Sequence, residues 1–157
     1  MEKSEYLTAR GSEEPFAIQF SVFAANRIGQ LRELLDLFSG RAVKVLGLSV
    51  VDSTDWAVIR LILSDANTAR ELLTRQRIPF TESQILLPVL DTEDALSRLC
   101  GRLMQAELNV HFAYPLTIRH TDLPVMAVHV DDIVLARSLL TRHGFRLLGD
   151  EDLADPT

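Results

Sequence analysis

The sequence predicts an α+β fold: two β-α-β-β-α-β units in tandem, each an antiparallel sheet with its helices on one face. Three observations predict it. Apolar residues switch between a period of two and a period near 3.6 in the same order twice along the chain. The segment Ala69-Arg70-Glu71-Leu72-Leu73-Thr74-Arg75 returns 67 residues later as Ala136-Arg137-Ser138-Leu139-Leu140-Thr141-Arg142, and the same shift carries Val43 to Val110, Val58 to Val125 and Leu63 to Val130. A shift of 65 residues carries Leu31, Leu34 and Leu35 to Leu96, Leu99 and Cys100. A two-residue difference ahead of the second strand reconciles the two shifts.

Phe16 to Phe23 alternates, with Phe16, Ile18, Phe20 and Val22 on one face, and reads as a strand. Ile28, Leu31, Leu34, Leu35 and Phe38 follow at helical spacing, so Gly29 to Ser39 reads as an amphipathic helix closed by Gly40. Val43 to Val51 and Trp56 to Leu63 are strands joined by the polar turn Asp52-Ser53-Thr54-Asp55. Ser64 or Asp65 caps a helix with Ala66, Ala69, Leu72 and Leu73 on its inner face, and Ile78-Pro79-Phe80 leads into an extended segment. This order is the ferredoxin-like split unit.

The second half repeats the order. Ile85 to Leu90 is a strand, placed at an edge or bulge by Pro88. Asp91 to Glu107 is a helix with Leu96, Leu99, Cys100, Leu103 and Met104 inside. Val110 to Leu116 and Val125 to Val130 are strands, Asp131 to His143 a helix and Phe145 to Leu148 a closing strand. The chain thus divides into a polar N-terminal segment (1–15), a first unit (16–84), a second unit (85–149) and a tail (150–157). The middle strands of the first unit are apolar on both faces. A sheet so built needs cover on the side away from its helices, from the other half, a second chain or both, and a homodimer is expected.

Composition narrows the function classes. The 157 residues are 47% hydrophobic and 24% charged, as in a folded chain. The net charge of -6 and pI near 5.2, with scattered basic residues, argue against nucleic acid or an anionic membrane as partner. The polar, acidic stretch from Met1 to Pro15 has no signal-peptide core and no apolar run spans a membrane, which makes the cytoplasm the expected location. The single Cys100, in an apolar helical pattern, reads as a small buried thiol and leaves no intrachain disulfide or Cys-rich zinc site.

The segment between the first strand and its helix reads Asn26-Arg27-Ile28-Gly29-Gln30-Leu31. Glycine at a helix opening lets a ligand approach the backbone, and the first-turn N–H groups suit a carboxylate. Asn26 can cap the helix or bond a ligand, and Arg27 supplies a cation. The residues alone admit a second reading, in which Asn26 is only a cap, Gly29 only a turn residue and Arg27 a solvated charge. The segment resembles the ligand loop of the ACT domain family, typically Asp or Asn, Arg, Pro, Gly, any residue, Leu. The hairpin Gly47-Leu48-Ser49-Val50-Val51-Asp52-Ser53-Thr54-Asp55-Trp56 is similar to that of small stand-alone bacterial tandem-ACT proteins. The resemblance covers roughly Phe16 to Leu148.

That resemblance implies a non-enzymatic regulatory sensor without a cofactor, holding a free amino acid at an ACT–ACT interface through Asn26, Arg27, Ile28, Gly29, Gln30 and Leu31. An unlinked metabolic enzyme or regulator is the implied downstream partner. Ile28 departs from the family's Pro. In the second unit the equivalent loop, Asp91-Thr92-Glu93-Asp94, lacks Arg and Gly, so Asp91 reads as a helix cap and the loop as degenerate. The rival function is a ligand-independent interaction module, a regulatory subunit acting through its sheet faces. Catalysis has no motif to carry it: neither a Gly-x-Ser-x-Gly elbow nor a phosphate loop nor a dinucleotide fingerprint is present. His111 and His129 are expected on one face, opposite Val110/Phe112 and Val128/Val130, as half-buried residues at a sheet–sheet contact more than as metal ligands. The acidic runs 91–94 and 131–132 read as helix-capping turns.

Overall fold

The computed structural model describes residues 16–25 and 28–154. In chain order its elements are β1 (Ala17–Ala25), α1 (Gln30–Ser39), β2 (Val45–Asp52), β3 (Trp56–Leu63), α2 (Ala66–Arg75), β4 (Phe80–Ile85), α3 (Ala95–Gln105), β5 (Val110–His120), β6 (Leu123–Val130), α4 (Ile133–Arg142) and α5 (Asp150–Ala154). The strand order is β4-β1-β3-β2-β5-β6. β4-β1-β3-β2 is the sheet of the first unit, and β5-β6 continues into the second. Segment 86–90 pairs with β6 on one side, through Leu86↔Val128 and Val89↔Val125, and with Leu147 through Pro88 on the other.

Period-two alternation sorts the strands onto two faces. Phe20 and Val22 of β1 lie opposite Leu61 and Ile59 of β3, and these four pack with Leu34, Phe38, Leu72 and Leu73 of the two helices. Leu86, Val128 and Val130 make the matching core under α3 and α4 with Leu99, Leu103 and Leu140. The reverse faces meet in a third core, where Ala17, Ile62, Ile85 and Leu87 pack against Tyr114, Val125, Ala127 and Leu148. The layers are therefore helices, sheet, sheet, helices. The second apolar face of the first sheet is covered from within the chain, by the other unit.

One extended run links the layers. Phe80–Ile85 closes the first sheet, with Ile85 opposite Ala17, and the next residue, Leu86, already bridges to Val128 of the second unit. The missing N–H of Pro88 predicts an edge or a bulge; the residue is buried between β6 and Leu147, which excludes the edge. It keeps its place by accepting from Met126 N at 3.1 Å, while Leu86 and Leu90 donate on either side of it. The closing strand expected over 145–148 is reduced to bridges, and 150–154, assigned to the tail, forms α5 with Leu153 buried in the inter-sheet core.

All four long helices stop in the same way. Val43, Ile78, Leu108 and Phe145 each donate to the carbonyl five residues back, at Phe38, Leu73, Leu103 and Leu140, over distances of 2.9–3.0 Å. The residue before each donor sits in the left-handed region: Ala42 (φ 58), Arg77 (φ 55), Glu107 (φ 56) and Gly144 (φ 85). This is the Schellman stop with its apolar contact, and only the fourth copy uses glycine. At the other ends, Asp65 and Asp132 cap α2 and α4 by accepting from Thr68 N and Leu135 N at 3.0 Å.

The second-unit helix departs from its expected shape. α3 begins at Ala95, and Asp91 is not its cap; Asp94 holds the N-cap position without a side-chain cap bond. Leu99 and Leu103 are buried, but Leu96, Cys100 and Met104 point to solvent. The apolar stripe read from the sequence was wider than the sheet beneath it can cover, and the small Ala95 takes the inward position instead.

Candidate ligand site at the end of the first unit

Three chain segments converge at one end of the first sheet: the end of β1 with the turn into α1, the start of β3, and the link from α2 to β4. The split β-α-β-β-α-β topology brings them there, because β4 runs antiparallel to β1 and its N-terminal end returns beside the C-terminal end of β1. Phe23 N donates to Pro79 O at 3.0 Å and fixes the link against the strand. Between these segments lies a cavity of about 480 Å³. Its floor is Val22 and Ala24 of β1, Leu34 and Leu37 of α1, and Ile78 of the link. Its rim carries Gln30, Glu33, Trp56, Gln76 and Arg77, all at least partly exposed.

Gly29 occupies the N-cap of α1 with φ 89, a left-handed backbone that residues with a Cβ rarely adopt. A cap of this type has no side chain to offer, and no side-chain cap bond is made. Among the described residues no side chain caps the opening turn of α1, in contrast to α2 and α4, which are capped by Asp65 and Asp132. A Cβ added at Gly29 would meet nothing within 4 Å, so glycine is needed for its φ rather than for space.

Of the residues singled out in the sequence, Asn26 and Arg27 lie outside the described residues. Gln30 lines the cavity, and Gly29 sets the turn beside it. Ile28 is fully exposed, and Leu31 packs against the core beneath α1. Sequence reasoning missed Glu33, Trp56 and the whole Gln76–Pro79 link. The only signal for them was topological, since the split unit places both loops at one end. Glu33 and Arg77 bring one charge of each sign to the rim, and neither is engaged in an ion pair among the described residues.

In the second unit Arg98 stands at the corresponding place and is held by the loop upstream of α3. Arg98 stands 65 residues after Glu33, and Phe145 stands 67 after Ile78, the shifts that relate the two units. The Arg98 guanidinium lies 5.0 Å from the Phe145 ring centroid and reaches Asp91 at 3.1 Å and Asp94 at 3.4 Å, with Thr92 Oγ1 accepting a further bond at 3.1 Å. Thr92 also donates to Asp94, and that bond, with Arg98 beside it, holds the Asp94 carboxyl below the usual carboxylate range. The acidic loop therefore serves as a clamp on Arg98.

The histidine pair has a different setting. A register shift between Val110 and Phe112 puts Phe112, not His111, opposite His129, on the inter-sheet face. The Phe112 ring is stacked on His129 (4.9 Å, 3°), with the Arg60 guanidinium 3.8 Å from its centroid. His111 comes within 5.4 Å of His129 and pairs with Asp131. No group of three or more His, Cys, Asp or Glu able to hold a metal occurs among the described residues. None of their helices is long and apolar enough to cross a membrane.

Fold and cavity together define a paired α+β module with a cavity at the end of its first sheet and the Arg98 ion-pair cluster at the matching place in the second. The chain belongs to the ACT domain pair family, which matches residues 16–155. Among solved structures, a protein from Bacteroides thetaiotaomicron superposes with a TM-score of 0.81 at 18% identity, over 90% of this chain and 98% of that one. The ligand-free regulatory subunit of aspartate kinase from Thermus thermophilus gives 0.57 at 12% identity, covering 80% and 89%. The corresponding subunit from Thermus flavus gives 0.55 at 10%, covering 82% and 90%. These likenesses are likenesses of fold. No curated protein matches the sequence.

Proposed function

We propose that this protein is a non-catalytic regulatory sensor that holds a free amino acid in the cavity at the end of its first unit. The observation that carries the reading is the asymmetry of the pair. The first unit has a cavity beside the left-handed Gly29 at the start of α1, whereas at the equivalent place of the second unit Arg98 lies over Phe145 and pairs with Asp91 and Asp94. Membership of the ACT domain pair family and the architecture shared with two regulatory subunits of aspartate kinase support it. A homodimer that reports occupancy to an unlinked enzyme or regulator completes the proposal, with binding biasing that contact by a coupling free energy.

Thermal unfolding against each of the twenty amino acids at millimolar concentration tests it. A ligand at about 100 times its Kd adds about 2.7 kcal/mol, a shift of several degrees. A selective shift that Gly29→Asp removes supports the sensor; silence from all twenty overturns it. One observation favours a second reading, an interaction module that needs no small molecule. Leu96 and Met104 of α3 and Val134 and Leu135 of α4 are exposed, whereas the first unit has Ser39, Asn67 and Thr68 at the places equivalent to Met104, Val134 and Leu135. A stable complex recovered in the absence of amino acids and indifferent to them would support that reading.

A further inference from the structure

The charges and the floor of the cavity say which amino acids it fits, given that it is an amino-acid site as proposed above. A free α-amino acid brings one ammonium, one carboxylate and a side chain. The cavity brings one carboxylate, Glu33 in the first turn of α1, and one guanidinium, Arg77 in the link from α2. Both sit on the exposed rim, on separate walls, and neither is neutralised by a neighbour among the described residues. The aliphatic part of the lining includes Val22, Ala24, Leu34, Leu37 and Ile78. An ammonium or carboxylate at the end of a ligand side chain would lose its water there and gain no partner. A polar side chain would fare little better, because the polar rim groups Gln30 and Gln76 lie with the charges and not on the floor. The volume, about 480 Å³, leaves room for a side chain of leucine or methionine size.

The duplicated unit provides an internal comparison. There the place of Glu33 is taken by Arg98 and that of Ile78 by Phe145, and the cation is gripped by Asp91 and Asp94. The end of a sheet in this architecture thus accommodates a cationic group over an apolar residue when a carboxylate is at hand. In the first unit the carboxylate, Glu33, belongs to the helix, and no ion pair among the described residues occupies it. Chain geometry also fixes Arg77: it is the left-handed residue of the α2 stop, with Ile78 N bonded to Leu73 O behind it, so its Cα cannot drift from the rim.

We propose that the cavity selects free α-amino acids with large apolar side chains, Glu33 engaging the α-ammonium and Arg77 the α-carboxylate. Leucine, methionine and phenylalanine are preferred over serine, aspartate and lysine. The amino group is required, so the 2-oxo acid matching leucine binds at least about tenfold more weakly, as does 3-methylbutylamine, which lacks the carboxylate.

Isothermal titration of the full chain with these compounds tests the assignment, with Glu33→Gln and Arg77→Gln as variants and circular dichroism to confirm folding. Glu33→Gln is expected to weaken leucine about tenfold or more while leaving the 2-oxo acid unchanged. Arg77→Gln is expected to weaken leucine and leave 3-methylbutylamine unchanged. Preference for serine, aspartate or lysine overturns the side-chain class while the amino-acid site stands. Equal binding of leucine by wild type and Glu33→Gln overturns the role of Glu33, and unchanged binding by Arg77→Gln overturns that of Arg77. Absence of binding by every amino acid overturns the site itself and this inference with it.

Discussion

The Tyr114 hydroxyl donates a 2.6 Å hydrogen bond to Gln19 Oε1, 95 residues away in the chain and on the facing sheet. Gln19 is 1% exposed and passes the contact on by donating from Nε2 to Ser21 Oγ at 3.4 Å. Burial pushes the Tyr114 phenol well above its ordinary range, so it remains a donor at any pH of interest. A polar contact inside an otherwise apolar layer fixes how one unit sits on the other, since any sliding would strand it.

Tyr114→Phe is accordingly expected to destabilise the chain by about 1–3 kcal/mol, chiefly by leaving the Gln19 carbonyl buried without its donor. Urea unfolding checks it. Because the two units share the inter-sheet core, wild type is expected to lose both in one transition, and a second transition would show that they fold apart.

Gly47 marks the seam between the sheets. It pairs with Leu116, the single register pair between β2 and β5, and a Cβ there would meet Leu116 Cδ2 at 2.6 Å and Ile62 Cγ1 at 3.2 Å. Gly47→Ala should cost about 1–3 kcal/mol as Leu116 is driven from its rotamer. With the partner trimmed at the same time, by Leu116→Ala, the double variant should lose less stability than the sum of the single losses, measured as a double-mutant cycle.

The pH dependence turns on His129. Burial first, then the neighbouring His111 and the Arg60 cation, lower its pKa below the ordinary 6.5, with Asp131 opposing. His129 Nδ1 is also buried without a hydrogen-bond partner among the described residues. The unfolded chain therefore takes up a proton at this residue that the folded chain resists. Its contribution to stability is complete above pH 6.5 and is lost as pH falls below it. His129→Phe, which preserves a ring against Phe112, should reduce the stability difference between pH 7.5 and 5.5, values of about one unit on either side of 6.5. An unchanged pH profile would contradict it.

The two caps offer a matched pair. Asp65→Ala and Asp132→Ala should each cost about 1 kcal/mol. The hydroxyl and backbone N–H of Thr68 hold the Asp65 carboxyl below its usual range. The Asp65 contribution is therefore present above the ordinary carboxylate pKa and lost as pH falls through the lowered one. The wild-type and Asp65→Ala stabilities should converge in acid.

The repeat was legible because both copies kept their apolar periods: the segment 69–75 and its copy 136–142 each lie in a capped helix at the expected place. The facing of the two sheets was legible only as a need for cover, since the β2 and β3 residues have apolar neighbours on both sides but do not say what meets them. Tyr114 and Gln19 could not be paired from sequence, because their meeting depends on how two separately folded sheets are set. The exposure of Cys100 is hidden from the sequence for a related reason. Helical spacing gives the width of an apolar stripe, not the part of it the sheet can reach, and Cys100 is exposed. The Arg98 clamp did leave a trace, in the exchange of Glu33 for Arg98 at equivalent positions with three acids just upstream. Reading it required knowing that α3 starts only at Ala95, which frees 91–94 to turn back on the guanidinium.

The stoichiometry of binding tests the account at its centre. Titration calorimetry with the amino acid that gives the largest thermal shift should return one bound ligand per chain, lost in Gly29→Asp and unaffected by Asp91→Asn. Two ligands per chain would contradict the restriction of binding to the first unit, and none would contradict the site there.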